Sequence, residues 1–236
     1  MGRSKDLATG TFTTALDVQG AITSDGLTVD TSDQVIINHS GDAGGLRIDS
    51  TNNTNTGSIR FGDVADNYIG GVEYNHSTNA LSFYANNATR MTINSSGYVT
   101  NPYQPAFNAY RNSSLAISGL TSLVFNTVRS NASSSYNNST GVFTAPVDGQ
   151  YLFNHKGLYY NMSTSEFCDL YAYVNGSERT RYEQTGNGGG HVQVDYSEIV
   201  YLSANDTFRL YANNRSSGNG FNMYNNENHF SGRLLG

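Results

Sequence analysis

Short runs in which apolar and polar residues alternate recur along almost the whole of this 236-residue chain, and turn-forming residues separate them. A period of two is the pattern of a half-buried β-strand, because successive side chains of a strand point to opposite faces. Strong helix formers are scarce, whereas the 17 Tyr and 11 Phe suit strands. The sequence therefore predicts an all-β protein. Its first runs are Leu27–Asp30, Val35–Asn38, Leu46–Asp49, Ser58–Phe61, Gly71–Tyr74, Leu81–Tyr84 and Met91–Ile93.

Charge and apolar content exclude several classes of partner. The formal net charge is −6 and the pI is near 5.2, which leaves no basic patch for nucleic acid. No stretch approaches the ~18 consecutive apolar residues of a membrane-spanning helix. The beginning, Met1–Leu7, lacks the apolar core of a secretory signal, so we expect synthesis in the cytosol. Cys168 is the single cysteine, which excludes a disulfide within the chain.

The residues before position 101 contain too few core-forming side chains for an independent fold. Each short strand offers only two or three apolar side chains, and burying one contributes roughly 1.5–3 kcal/mol. Ordering each residue costs roughly 1–2 kcal/mol in backbone entropy. We therefore expect this part to fold only in association, with copies of the chain supplying each other's missing core. The alternative is a floppy linker, against which the regular alternation argues.

The part of the chain from Pro105 onward is much richer in aromatic residues. The dipeptide Asn175-Gly176 within it is the strongest β-hairpin signal of the chain. Many alternating segments separated by Asn, Ser and Gly clusters predict a β-sandwich or a jelly roll. The predicted strands are Tyr151–Tyr160, Asp169–Val174, Val192–Leu202, Thr207–Ala212, Gly220–Tyr224 and His229–Leu235.

Seven spaced residues in this part resemble the signature of the complement-1q globular-head family. They are Phe125, Asn131, Tyr136, Phe143, Gly149, Tyr151 and Phe153. The segments Pro105–Phe107 and Phe230–Leu235 also resemble the first and last strands of that family. The resemblance implies a tumour-necrosis-factor-like jelly roll over about residues 105–236, assembled as a homotrimer with both chain ends at one pole. His155 departs from the pattern, since the family usually has Phe or Tyr there, and this leaves the local core or trimer contact open.

The first hundred residues are similar to stretches common in bacteriophage tail-fibre proteins. The segments Thr56–Phe61, Gly70–Thr78 and Arg90–Gly97 carry this likeness, and Ser4–Ala8 resembles the start of structural proteins that attach to a virion. The two resemblances together imply an all-β chain with a trimeric fibre shaft of short interdigitated strands. A complement-1q/tumour-necrosis-factor-like jelly-roll head follows the shaft.

Three domains are predicted from these resemblances. Residues 1–20 form a virion-docking segment, in which Lys5, Asp6 and Leu7 contact other virion proteins. Residues 21–102 form the trimeric β shaft. Residues 103–236 form the jelly-roll head.

No arrangement of side chains in the sequence predicts an enzyme. The five histidines are scattered and never take the His-x-x-x-His or Glu-x-x-His spacing of a metal site. Cys168 has no surrounding Cys-His motif, so a small buried residue is expected rather than a nucleophile. Acidic residues are spread along turns, and no carboxylate pair for glycoside cleavage can be named.

Asp206 is the one candidate metal ligand. The segment Leu202–Phe208 resembles a turn of the family in which, in several members, an aspartate binds calcium near the trimer apex. Three copies of Asp206 around an axis would repel one another, and a cation with oxygen ligands would offset that repulsion. The alternative is an ordinary turn aspartate that accepts hydrogen bonds from backbone amides.

The predicted function is that of a structural virion fibre, a phage tail fibre made in the host cytoplasm. Its trimeric head binds a receptor on the bacterial surface, a glycan or a protein. Two alternatives stay open: a capsid head fibre or decoration protein, and a secreted complement-1q-like recognition domain.

The receptor surface is predicted from the turns of the head. We expect the turns Asn161–Glu166, Ser203–Asp206 and Asn225–Asn228 to lie together at the pole opposite the chain ends. Polar amides beside an aromatic platform suit sugar hydroxyls. The alternatives are the loop Asn187–Gly190 and the sides of the trimer. The candidate receptor-binding residues are Asn161, Met162, Glu166, Asn205, Tyr224 and Asn226.

Overall fold

The computed structural model describes residues 54–188, 190–215 and 220–236. All regular elements in this part are β-strands, which confirms the predicted all-β class. None of its segments is a helix long and apolar enough to cross a lipid bilayer. The predictions for residues 1–20, including Lys5, Asp6 and Leu7, and for the shaft before residue 54 fall outside the described residues.

Within residues 54–236, the first five strands that the structure describes form one antiparallel sheet, in which each strand pairs with the next along the chain. These strands are β1 (Thr56–Phe61), β2 (Gly70–Asn75), β3 (Ala80–Ala85), β4 (Ala88–Ile93) and β5 (Val99–Thr100). A two-residue turn joins β3 to β4, and both of its residues, Asn86 and Asn87, have positive φ. The ladder bonds of this sheet join strands of one chain. The trimeric shaft of interdigitated strands stays a prediction.

The two faces of this sheet differ in chemistry. Residues opposite each other in the register share a face: Ile59 lies opposite Val72, Val72 opposite Phe83, and Phe83 opposite Met91. We call this surface the apolar sheet face. It comprises Ile59, Phe61, Val72, Tyr74, Leu81, Phe83, Met91, Ile93 and Val99. None of these side chains is buried, whereas the opposite face carries polar residues such as Ser82.

The remaining strands form the head. In chain order they are β6 (Ala106–Tyr110), β7 (Leu115–Ile117), β8 (Thr121–Ser122), β9 (Thr127–Ala132), β10 (Tyr136–Asn137), β11 (Val142–Thr144), β12 (Gly149–Tyr160), β13 (Phe167–Val174), β14 (Ser177–Thr185), β15 (His191–Leu202), β16 (Thr207–Asn214), β17 (Phe221–Met223) and β18 (His229–Leu234). One antiparallel sheet has the order β10-β11-β16-β13-β14, with β8 beside β16. The other has the order β7-β17-β12-β18-β6-β9, with β15 beside β12. The two sheets share one core, as in a jelly roll.

Aromatic rings fill the space between the two sheets. The alternation of β12 turns Tyr151 and Phe153 inward, and both are fully buried. Phe107 of β6 lies parallel to Tyr136 of β10, with ring centroids 4.5 Å apart. Phe230 of β18 packs edge-on against Phe107, with a centroid separation of 5.0 Å. Such ring pairs add about 0.5–1.5 kcal/mol each beyond the area they bury.

The spaced signature residues have structural roles that explain their spacing. The Asn131 side chain accepts a hydrogen bond from the backbone N–H of Tyr136 and donates one to its carbonyl, at 3.1 and 2.8 Å. The Tyr136 hydroxyl accepts a bond from the backbone N–H of Phe125 at 3.1 Å. A Cβ on Gly149 would lie 2.6 Å from Leu234 Cδ1, so only glycine fits there without a shift.

The Asn175-Gly176 turn joins β13 to β14, as the hairpin signal predicts. Both residues have positive φ, 51° and 78°, which is the conformation that a two-residue hairpin turn of this kind requires.

His155 occupies a core position at the centre of β12. Its Nδ1 lies 2.9 Å from the carbonyl oxygen of His229, to which it donates, and its ring packs edge-on against Phe125 at 5.4 Å. Burial lowers the pKa of His155 to about 4. The imidazole therefore takes the place of the family's usual aromatic ring as a neutral, hydrogen-bonded core group.

Both ends of the head lie at one pole. The backbone N–H of Gln150, near the start of β12, donates to the carbonyl of Gly236 at 3.0 Å, and that of Leu234 donates to the carbonyl of Pro105 at 2.9 Å. β12 then runs away from this end for twelve residues to Tyr160. We call the end with Pro105 and Gly236 the base pole, and the end with Tyr160 the far pole.

Candidate functional site

Three strand ends build the surface of the far pole. β12 ends at Tyr160, which pairs with His191 at the start of β15 on one side and with Asn222 of β17 on the other. Residues opposite each other in an antiparallel register point to the same face. The side chains of Tyr160, His191 and Asn222 therefore form one row across the sheet.

Three rings meet at this row. The centroid of the Tyr224 ring lies 5.2 Å from that of Tyr160 and 5.4 Å from that of His191, and those two rings are 6.3 Å apart. We call Tyr160, His191 and Tyr224 the aromatic triad. Tyr224 is 38% exposed and His191 is exposed, whereas Tyr160 is half-buried. The triad is thus an aromatic surface that water reaches.

Asparagine residues shape the turns beside the triad. Asn161 and Asn226 are exposed and have positive φ, a conformation that asparagine adopts more readily than most residues. The buried Asn228 side chain holds the turn after Tyr224, because its Oδ1 accepts from the backbone N–H of Leu158 at 2.9 Å and its Nδ2 donates to the Leu158 carbonyl at 3.1 Å. These contacts place Asn161, Tyr224 and Asn226 at the far pole, as expected.

Met162 and Glu166 are buried, so their prediction as receptor-contacting side chains is wrong for this fold. Met162 is 0% exposed and belongs to the core. Glu166 is 3% exposed, and its Oε2 accepts from the backbone N–H of Ser163 at 2.6 Å while its Oε1 accepts from Asn214 at 3.3 Å. An unpaired buried carboxylate would be costly, and these bonds instead anchor the turn to the end of β16.

The turn Ser203–Asp206 lies at the base pole, so its predicted place beside the other two turns is wrong. Leu202, the last residue of β15, pairs with Gly149 at the start of β12. After this turn the chain crosses the head in β16 before it reaches the turn that precedes β18. The two turns therefore lie at opposite poles. Asn205 therefore shares no surface with Tyr224 in one copy of the chain.

Asp206 stabilises the turn in which it lies through two hydrogen bonds. Its Oδ1 accepts a hydrogen bond from Asn175 Nδ2 at 2.7 Å, and its Oδ2 accepts one from the backbone N–H of Ser203 at 2.8 Å. The bond from Asn175, and then that from Ser203, lower the pKa of Asp206 below its usual value. Both oxygens are engaged by donors, and the described residues contain no group of three or more His, Cys, Asp or Glu that could hold a metal. One copy alone does not fit calcium, and an ion shared by three copies remains a prediction.

A buried carboxylate on the outer side of the β13 strand was not foreseen. Asp169 is 0% exposed, and its Oδ2 lies 3.1 Å from Arg181 Nη2 and 2.8 Å from Arg215 Nε. The hydroxyl of Tyr171 donates to the same oxygen at 3.2 Å. Two guanidinium groups compensate the buried charge, so Asp169 ties β13, β14 and the end of β16 together.

No pattern in the sequence predicted that His191 and Asn222 belong to the candidate site. In the sequence His191 is one of five scattered histidines. Only the register of β15, β12 and β17 brings it beside Tyr160 and Asn222. The available signal was the position of His191 directly before the predicted strand Val192–Leu202 and of Asn222 within the predicted strand Gly220–Tyr224.

Cys168 is 0% exposed within the core. Burial raises the pKa of its thiol well above the usual range, and the charge of Asp169 raises it further. The thiolate that nucleophilic catalysis needs is therefore disfavoured here.

Comparison with known proteins assigns the head to a family. Residues 106–235 match the family model described as the C1q domain. The globular domain of zebrafish complement 1qA protein is 19% identical over 56% of this chain and 98% of that chain, with a TM-score of 0.46. Eiger TNF from S. frugiperda is 13% identical over 56% of this chain and 93% of that chain, with a TM-score of 0.45. No protein with a curated description matches the chain. Because the family model spans more than half of the 236 residues, the chain belongs to the C1q domain family.

Proposed function

We propose that this chain is the subunit of a homotrimeric virion fibre, a bacteriophage tail fibre whose C1q head binds a glycan receptor on the bacterial surface. C1q-like domains typically mediate recognition and commonly form homotrimers. In this proposal residues 1–20 dock on the virion, residues 21–102 form the shaft, and residues 103–236 form the receptor-binding head. The chain is made in the host cytoplasm and works on the virion.

The apolar sheet face is the observation that carries the fibre proposal. A sheet with one hydrophobic face must bury that face against another layer. Ile59 and Phe61 are 44% and 60% exposed, and the more central Val72, Leu81 and Phe83 are still half-exposed. Burying each of these side chains contributes roughly 1.5–3 kcal/mol. Three copies of the sheet, turned inward around a common axis, give each apolar face its missing layer.

The position of the chain ends supports the far pole as the receptor surface. The polypeptide enters the head at the base pole, where Pro105 and Gly236 lie. In a fibre whose N-terminus is anchored, the opposite pole is presented to the cell. That pole carries the exposed Asn161, Tyr224 and Asn226. Amide groups offer both donors and acceptors to sugar hydroxyls, and an aromatic ring offers an apolar surface.

The proposal involves binding without covalent chemistry. Cys168 is buried as a thiol with a raised pKa, and His155 is a buried neutral core group. The buried carboxylate of Asp169 is engaged by two arginines, Arg181 and Arg215.

The two alternatives differ from this proposal in the structure to which the chain is attached. A capsid head fibre or decoration protein would have the same trimeric head with a different docking site for its first residues. A secreted C1q-like recognition domain is equally compatible with the family of the head, and it would act with no virion attached.

Two measurements test the proposal. Sedimentation of the full chain at micromolar concentration is expected to give a trimer, and a folded monomer would contradict the fibre. Electron microscopy of purified virions, with gold-labelled antibody to the head, is expected to label the distal ends of tail appendages. Label on the capsid would favour the decoration alternative, and absence from virions would favour the secreted one.

A further inference from the structure

We propose that the aromatic triad, together with Asn222, is a binding site for the ring of a neutral pyranose sugar. This inference rests on the proposed receptor-binding function of the far pole and names the site and the ligand class within it.

The geometry of the rings forms a corner. Tyr160 and His191 are neighbours across β12 and β15 and their ring planes differ by only 35°. The ring of Tyr224 stands across both, at 73° to Tyr160 and 60° to His191. The first two rings therefore act as a floor and the third as a wall. The C–H groups on one side of a pyranose form an apolar patch that packs against such ring faces.

One side-chain amide lies in the same row as this corner, and a second follows Tyr160 in the chain. Asn222 is directly opposite Tyr160 in the register, and Asn161 directly follows it. Each amide presents a carbonyl acceptor and an NH₂ donor in one plane. Neighbouring sugar hydroxyls both donate and accept, so one amide can bind two of them while the sugar ring contacts the triad.

The chemistry of the site favours a neutral sugar. Its two tyrosines and its amides offer no charged partner for the carboxylate of a uronic or sialic acid. Removing such a carboxylate from water without a partner would be costly. The chemistry therefore fits a hexose or an N-acetylhexosamine.

Saturation-transfer NMR with the full chain tests the site directly. The probes are the methyl glycosides of glucose, galactose, mannose, N-acetylglucosamine and N-acetylgalactosamine at millimolar concentration. We expect at least one of them to receive saturation on ring protons of a single side. Tyr224→Ala should weaken that binding about fivefold or more, because the wall ring is lost, while Tyr224→Phe should retain most of it. Tyr182→Ala is the matched control, since Tyr182 on β14 is 39% exposed and lies outside the triad.

The outcomes separate this inference from the proposed function. Absence of saturation for all five glycosides overturns the sugar site. Dissociation of the Tyr224→Ala trimer in sedimentation also overturns it, because the triad would then be a contact between copies. Loss of cell adsorption by Tyr224→Ala without glycoside binding by the parent chain leaves the receptor function standing and removes the sugar. Glycoside binding by a parent chain that does not adsorb to cells would support the sugar site and contradict the receptor function.

Discussion

The rings of Phe153 and Phe208 lie parallel across the centre of the head, with centroids 3.9 Å apart and planes 6° from parallel. Phe153 belongs to β12 and Phe208 to β16, so this stack joins the two sheets of the sandwich. Both side chains are 0% exposed. The stability of the head should therefore depend strongly on either ring.

Replacing Phe153 with Ala is expected to destabilise the head by about 3–5 kcal/mol per chain, because a buried ring is lost and a cavity remains. Thermal unfolding followed by circular dichroism measures the effect. Leu120→Ala is the control, since Leu120 is 54% exposed and its loss should change stability by less than about 0.5 kcal/mol. Equal shifts for the two variants would show that Phe153 is not a core residue in solution.

A methyl group added at Gly232 is expected to destabilise the head by about 1–3 kcal/mol through overpacking. The added Cβ would lie 2.6 Å from a ring carbon of Phe107 and 2.7 Å from one of Phe153. Gly119→Ala is the matched control, because a Cβ there meets nothing within 4 Å. The melting temperatures of the two variants measure this effect. A Gly232→Ala protein that melts at the same temperature as the parent would contradict the packing of β18 against the ring cluster.

His155 should make the head sensitive to mild acid. Its pKa is lowered by burial from 6.5 to about 4, so above pH 6.5 it is neutral in both the folded and the unfolded chain. As the pH falls from 6.5 to 4, the unfolded chain takes up a proton that the folded chain refuses. Folding stability is then lost, by up to roughly 3 kcal/mol at pH 4.

His155→Phe should remove this component of the pH dependence. The measurement is the difference in melting temperature between parent and variant from pH 7 to pH 4, which we expect to shift in favour of the variant toward acid. Leu120→Ala, at an exposed position without an ionisable side chain, should follow the parent profile. A parent–variant difference independent of pH would show that His155 is not held neutral.

The apolar sheet face should control assembly before residue 101. Phe83→Asp places a charge in the middle of that face and is expected to leave the sheet open to limited proteolysis, while the melting of the head is unchanged. Ser82→Asp adds the same charge to the neighbouring position on the opposite, polar face and should have no such effect. Equal protection from protease in both variants would contradict burial of the apolar sheet face between copies.

Much of the head could be predicted from local pattern. The run Tyr151–Tyr160 is predicted as a long strand, and it lies within β12, where buried positions alternate with more exposed ones. The Asn175-Gly176 turn follows from local backbone preference, because both residues tolerate positive φ. The sequence does not predict strand β14, because most of its residues are polar and exposed and show no apolar alternation.

The candidate site was predicted only in part, because it depends on long-range contacts. Asn161 and Tyr224 lie at the far pole as expected. Met162 and Glu166 sit in a polar stretch that gives no sign of burial, and only the packing against β16 shows it. The turn at Asn205 lies at the pole opposite the predicted one, because β15 ends beside the start of β12 and β16 then crosses the head.

The burial of Cys168 has a practical consequence for chemical labelling. The chain has one cysteine, and its protonated, enclosed thiol should not react with maleimide while the head is folded. The native protein then behaves toward thiol reagents as if it had no cysteine at all. A cysteine introduced at an exposed position such as Tyr182 would be a unique handle for a dye or a gold particle, with no need to alter the core first.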